Sequence, residues 1–166
     1  MNRIVVIWIL TFVACAAYLD ATMSELAERV PARFDWDGRP VAWFERSFFI
    51  TWVVSFLVGL NGLFAIFWFY FGKARPRTLV NIPWKRYWFS APERHAEAIE
   101  RVRNLMAISG IFSNCVWLMA YHLCVQSALA APVVRVPVNL AITLILGGTV
   151  IFVAGILLYM KPSRAS

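Results

Sequence analysis

Acidic, cysteine and histidine residues are scarce in this sequence. It contains 9 Asp and Glu, 3 Cys and 2 His among 166 residues. The cysteine count is odd and no Cys-x-x-Cys pair occurs, which argues against a disulfide framework. A metal site needs three or four ligands, and the long apolar runs carry no carboxylate. We therefore predict no metal site and no bound cofactor.

Motifs of catalysis are also missing. The chain has no GxSxG nucleophile turn, no P-loop and no HExxH helix. Coupled transport normally uses Asp, Glu, Lys or Arg within the membrane, and the apolar runs lack all four. These absences favour a protein that is neither an enzyme nor a pump.

Apolar residues, in contrast, are abundant, at 61% of the chain. A helix needs about 20 apolar residues to cross about 30 Å of hydrocarbon, and in lipid its backbone groups must bond within the segment. The sequence therefore predicts one all-α domain over residues 1–166, a membrane four-helix bundle. Its expected spans are 4–22, 47–71, 104–130 and 137–160.

The first apolar run has a second interpretation. Arg3 precedes it, and Phe12-Val13-Ala14-Cys15 is similar to a lipoprotein cleavage site, so the run also resembles a secretory signal. Phe is atypical at the first position of such a site. We expect the run to be retained as the first span.

Basic residues indicate the orientation of the spans. Residues 20–46 contain four basic and six acidic residues, whereas residues 73–103 contain eight basic residues. Basic loops stay on the cytoplasmic side. We therefore predict cytoplasmic termini, a cytoplasmic loop at 72–103 and an extracytoplasmic loop at 23–46. Clustering of the +7 net charge beside apolar runs favours anionic lipid as a partner over nucleic acid.

The cytoplasmic loop shows internal order. Its aromatic stretch 82–89 is typical of a segment at head-group level. Ser90 and Glu93 have the spacing of a capping box, with Pro92 in the first helical turn. We predict one continuous helix from about Ala91 through the third span, with its first turns outside the membrane.

The outer loop has turn chemistry at its centre. The chain becomes extended at Val30, Asp35 can accept hydrogen bonds from nearby backbone N–H groups, and Gly38 can adopt a positive φ. Arg33 and Phe44 stand where an EF-hand would place its first and last ligands, so the loop is not an EF-hand. A looser calcium site is the weaker alternative to an ordered, metal-free loop.

Polar side chains within the spans are costly in lipid and are expected to be hydrogen-bonded. We expect Asn61 to bond to another helix across a small-residue face, and His122 to be buried and hydrogen-bonded, with a lone haem ligand as the weaker alternative. Small-residue stripes favour packing within the bundle or against a partner over a transport path. They comprise Ser55, Gly59 and Gly62 on the second span, and Asn139, Thr143, Gly147 and Ala154 on the fourth.

Two groups of motifs resemble those of a known family. Residues 26–40, with Trp43 and Arg46 after them, form a Pro-containing stretch, an aromatic residue, a turn to Gly, then Trp and a basic residue. Asn81-Ile82-Pro83, Tyr87-Trp88 and Ala91-Pro92-Glu93-Arg94 follow. They resemble a bacterial membrane domain of unknown function that also forms the N-terminal part of SdpI-type immunity proteins. The family's usual His before Phe is Arg33 here, so the role of that His is not carried over.

The resemblance implies a multi-pass protein of the bacterial inner membrane. Standalone members of the family have no assigned activity, but the resemblance, the small size and the missing catalytic motifs together favour an immunity protein that neutralises a membrane-active toxin by binding the toxin or its insertion site. An accessory subunit of a larger membrane complex is the alternative, and a small channel or lipid-handling protein ranks last. The partners expected are membrane lipid and a protein. The candidate contact residues are Phe34, Trp36, Arg39, Trp43, Asn61, Asn114 and His122.

Overall fold

The computed structural model describes residues 2–73, 82–129 and 138–162. The predicted connection between the third and fourth spans, and Asn81 of the motif above, lie outside these residues. The elements in chain order are α1 (Arg3–Met23), β1 (Arg29–Phe34), β2 (Pro40–Glu45), α2 (Arg46–Gly72), α3 (Lys85–Trp88), α4 (Pro92–Leu129) and α5 (Val138–Met160).

Four of the helices, α1, α2, α4 and α5, are long and apolar enough to cross a membrane. By length and composition the chain is therefore a multi-pass membrane protein, and the helix bounds lie close to the predicted spans. The prediction of one continuous third helix is confirmed, because α4 has 38 residues. At about 57 Å it is longer than the hydrocarbon thickness of about 30 Å, so part of it extends beyond the hydrocarbon.

The helix at the centre of the arrangement is α4. It contacts α2 most extensively and α1 next, whereas α5 contacts α4 over a smaller area. In the most apolar 18-residue stretch of α5, no side chain is buried against the rest of the protein. The expected four-helix bundle is thus a three-helix core with a peripheral fourth helix. The small-residue stripe predicted on α5 is exposed: Asn139, Thr143, Gly147 and Ala154.

Packing of α2 against α4 uses bulky side chains. Phe49, Val53 and Leu57 recur every fourth residue and are at most 5% exposed. They form a ridge that brings more atoms into contact than small residues would. The small-residue stripe predicted on α2 faces outward, with no atom within 4 Å of a Cβ placed at either glycine. Its members are Ser55, Gly59 and Gly62.

The all-α expectation misses an antiparallel hairpin formed by β1 and β2. Arg29 lies opposite Glu45 and Phe34 opposite Pro40, with the register interrupted around Arg33. Val, Phe and Trp favour such a pleated, half-buried surface. Val30 is fully buried, and β1 packs against α4. The hairpin is therefore attached to the helical core.

The hairpin turn has the chemistry expected from the sequence. The Asp35 Oδ1 accepts hydrogen bonds from the backbone N–H groups of Asp37 (3.0 Å) and Arg39 (2.8 Å). Gly38 has a φ of 77°, in the left-handed region that glycine adopts most easily. These bonds fix the tip of the hairpin.

Polar contacts also join the helices at the end of the bundle opposite the hairpin. We call this end the basic end. Asn2, which caps the start of α1, donates a hydrogen bond to Asn104 of α4, whose Nδ2 donates to the Tyr159 hydroxyl of α5 at 3.1 Å. The Arg103 guanidinium lies 3.8 Å from the Trp68 ring centroid of α2. The start of α1 and the ends of α2 and α5 therefore lie together, and the four long helices alternate in direction.

One local expectation at the basic end, the Ser90 capping box, is wrong. The Ser90 hydroxyl does not complete a capping box, because it donates to the Tyr87 carbonyl at 2.7 Å and accepts from Arg94. The helix begins at Pro92, one residue after the expected start at about Ala91. The predicted position of residues 82–89 at head-group level stays a prediction, and within this stretch Trp88 is fully buried, with its Nε1 donating to the Met160 carbonyl at 3.2 Å.

Replacing Gly38 tests the hairpin turn. A side chain in the left-handed region is unfavourable by about 1–2 kcal/mol, whereas Asn tolerates this region better than Ala. We expect Gly38→Ala to speed amide hydrogen exchange at Asp37 and Arg39 about 5- to 30-fold in detergent. Gly38→Asn serves as the control and should exchange at rates closer to wild type. Equal rates for wild type and Gly38→Ala would contradict the turn.

Candidate functional site

Two predicted site residues meet between α2 and α4. The Asn61 Nδ2 donates to the Asn114 Oδ1 at 2.7 Å and to the Leu57 carbonyl at 2.8 Å. The Asn61 Oδ1 accepts from the Trp8 Nε1 at 2.7 Å, and the Asn114 Nδ2 donates to the Thr11 hydroxyl at 3.1 Å. Trp8, Thr11, Asn61 and Asn114, here called the amide cluster, therefore join α1, α2 and α4.

A glycine makes room for this cluster. A Cβ at Gly110 would lie 2.2 Å from the Trp8 Nε1, closer than atoms can approach. The absence of that Cβ lets the indole lie against the α4 backbone, where Trp8 is only 7% exposed, and reach Asn61. Because an unbonded polar group in lipid costs several kcal/mol, this placement stabilises all the partners together.

The amide cluster changes the interpretation of two candidate contact residues. Asn61 and Asn114 use both side-chain atoms for hydrogen bonds within the chain, which favours a role in holding the helices together. Their partners on α1 were not identified from the sequence. The spacing of three and four residues places Trp8, Thr11 and Cys15 on one face of α1. This pattern could have identified the face of α1 that meets the two asparagines.

His122 lies apart from the amide cluster. Its side chain is exposed rather than buried, but the expected hydrogen bond is present, since Nδ1 lies 2.6 Å from the Tyr18 hydroxyl. The neighbouring Tyr121 takes the interior position, with its hydroxyl 2.9 Å from the Thr22 Oγ1. Among the described residues no group of three or more His, Cys, Asp or Glu could hold a metal ion.

The remaining candidate residues share the hairpin. Trp36 is 75% exposed, Val41 53% and Trp43 47%, and Arg39 is also exposed. We call these four residues the hairpin surface. Phe34 is half-buried and faces Ile142 of α5 across a small cavity of about 340 Å³. Large apolar side chains concentrated on an exposed surface are typical of an interaction site.

A second feature, absent from the sequence predictions, is an apolar groove of about 830 Å³ beside the hairpin. It lies between α2 and α5, with α4 as its floor. Trp52 and Phe56 form part of the α2 wall, and Arg33 lies at the hairpin end. The peripheral position of α5 creates this space, which explains why the sequence alone did not predict it.

Comparison with protein-family models, with curated proteins and with solved structures finds no match for this chain. The resemblance to the SdpI-type domain therefore stays a prediction that rests on the motif residues.

Gly110→Ala tests the close approach of Trp8 to α4. The added Cβ must displace the indole and break its hydrogen bond to Asn61, and overpacking of this kind costs about 1–3 kcal/mol. We expect a lower Tm in detergent, by about 2–4 °C for each kcal/mol in a chain of this size.

The matched control is Gly59→Ala, where the added Cβ meets no atom within 4 Å. It should leave the Tm at or above the wild-type value, because alanine favours a helix more than glycine does. Equal Tm values for Gly110→Ala and Gly59→Ala would show that the Trp8 contact is not made.

Proposed function

We propose that the protein is an immunity protein of the bacterial inner membrane, which neutralises a membrane-active toxin by contacting it through the hairpin surface. The observation that carries this proposal is the exposure of Trp36, Val41 and Trp43 on a hairpin attached to the core. Trp and Arg are the residues most enriched where binding energy concentrates, and Trp36, Trp43 and Arg39 supply both.

Rigidity of the hairpin supports recognition. The Asp35 side chain accepts hydrogen bonds from two backbone N–H groups of the turn, and the buried Val30 side chain attaches β1 to the core. Side chains that are already positioned lose little conformational freedom on binding, so their contacts translate more fully into affinity. A flexible loop with the same residues would bind less tightly.

Charge supports placing the hairpin on the extracytoplasmic side. Within the described ranges, eight basic residues lie at the basic end: Arg3, Lys73, Lys85, Arg86, Arg94, Arg101, Arg103 and Lys161. The hairpin end has four, together with six acidic residues. The positive-inside rule then directs the hairpin surface outward, where a toxin released by another cell arrives.

A second candidate function is an accessory subunit of a membrane complex. It is favoured by the open face of α5, which buries no side chain along its most apolar residues, and by the outward small-residue stripe of α2. Small residues let another helix approach closely. Purification of the tagged chain in mild detergent distinguishes the two, since a co-purifying toxin supports the first and a set of housekeeping membrane subunits supports the second.

The immunity function predicts a survival defect. Cells lacking the gene should lose viability when grown together with the parental strain or in its conditioned medium, and the wild-type gene should restore survival. The double variant Trp36→Ala, Trp43→Ala should fail to restore it, because the apolar contact area on the hairpin surface is lost.

The matched control is Trp84→Ala, which removes another exposed tryptophan, at the basic end. It should restore survival fully when both variants reach wild-type levels in the membrane. Tryptophan also anchors chains at head-group level, so loss of the hairpin variant from the membrane would indicate anchoring instead. Equal survival of the deletion and parental strains would refute the immunity function.

A further inference from the structure

The groove beside the hairpin is apolar along almost its whole length. Its volume of about 830 Å³ lies within the range of about 300–1,000 Å³ typical of ligand sites. Its floor on α4 runs from Phe112 to Cys124, and α5 contributes Ile145 and Thr149. The Thr149 hydroxyl bonds to its own helix at the Ile145 carbonyl (2.7 Å), so it offers the groove no free donor. An apolar occupant fits this lining.

The groove is about one leaflet deep. Its α2 wall runs from Phe48 to Leu60, which is about 18 Å at about 1.5 Å per residue. Half of a hydrocarbon core of about 30 Å is about 15 Å. The groove thus begins at the hairpin end, stops near the middle of α2 and has about the length of one leaflet.

Contact between α4 and α5 closes the deep end of the groove. The Phe112 ring stacks on Phe152 with centroids 4.6 Å apart, and a Cβ at Gly148 would lie 3.6 Å from Phe112. Beyond this point Arg101 and Trp88 bond to the last residues of α5. A membrane-spanning helix needs the full thickness and does not fit a groove closed halfway, whereas an acyl chain of one leaflet does.

A single cation lies at the open end. Within the described ranges, Arg33 is the one charged side chain among the residues that line the groove. It is exposed and makes no ion pair with the described acidic residues. A guanidinium matches the geometry of a phosphate, with which it can form two parallel hydrogen bonds. The groove therefore combines a phosphate-binding group with an apolar channel.

We propose that the groove binds one anionic diacyl phospholipid from the leaflet on the hairpin side. Its phosphate contacts Arg33, and one acyl chain lies along Trp52 and Phe56. This lipid site is separate from the hairpin surface and does not depend on the immunity function.

Native mass spectrometry of the purified full chain tests the site. The probes are phosphatidylglycerol and phosphatidylcholine with identical acyl chains, titrated in detergent. We expect one phosphatidylglycerol to bind more tightly than phosphatidylcholine, and Arg33→Gln to weaken phosphatidylglycerol about tenfold through loss of a charge-assisted contact. Arg39→Gln is the matched control, since it removes the same charge from the same hairpin outside the groove, and it should bind like wild type.

A second variant locates the acyl chain. Ala120 is an exposed small residue in the α4 floor, and Ala120→Trp should fill the groove and weaken the first binding event of both lipids. Equal affinity for the two lipids would overturn the assignment of an anionic lipid, and equal effects of Arg33→Gln and Arg39→Gln would overturn the contact with Arg33. Unchanged lipid binding by Ala120→Trp, or a dimer of the chain that this variant dissociates, would overturn the groove as a lipid site.

Discussion

The hydrogen bond between Asn61 and Asn114 is the interaction on which the arrangement of the helices depends. Within lipid there is no hydrophobic drive to bring helices together, because the acyl chains are as apolar as leucine. A buried amide does need a hydrogen-bond partner, and Asn61 and Asn114 are partners of each other. Trp8 and Thr11 add α1 to the pair, so one polar contact selects which faces of three helices meet.

The fourth helix shows what happens without such a contact. The polar residues of α5 do not reach the amide cluster. Its polar contacts lie at the basic end, where Tyr159 bonds to Asn104 and Arg101 of α4 and the Met160 carbonyl accepts from Trp88 of α3. Toward the hairpin it is held by few contacts, and the apolar groove opens there. The groove and the exposed face of α5 thus have one physical origin. The hairpin stays close because Val30 is buried against the core.

The features that the sequence predicted correctly are those that local properties of the chain determine. Bilayer thickness and the exclusion of charge determine the spans, and the local chemistry of Asp35 and Gly38 determines the turn. Features that depend on tertiary neighbours were missed. Nothing local distinguishes Trp88, which is buried, from Trp84, which is exposed. Tyr121 is likewise buried and the adjacent His122 exposed, although both bond to side chains of α1. Asn61 was recognised as a polar residue that needs a partner, but its partners lie 53 residues away in either direction along the chain.

A double-mutant cycle on Asn61 and Asn114 tests the central role of the amide cluster most directly. The free energy of unfolding would be measured in mixed micelles for wild type, Asn61→Leu, Asn114→Leu and the double variant. Each single variant should be less stable than wild type, and the two losses should not be additive. The coupling should be about 0.6–1.7 kcal/mol, as for other hydrogen bonds between membrane helices. Additive losses, or leucine variants as stable as wild type, would contradict this role.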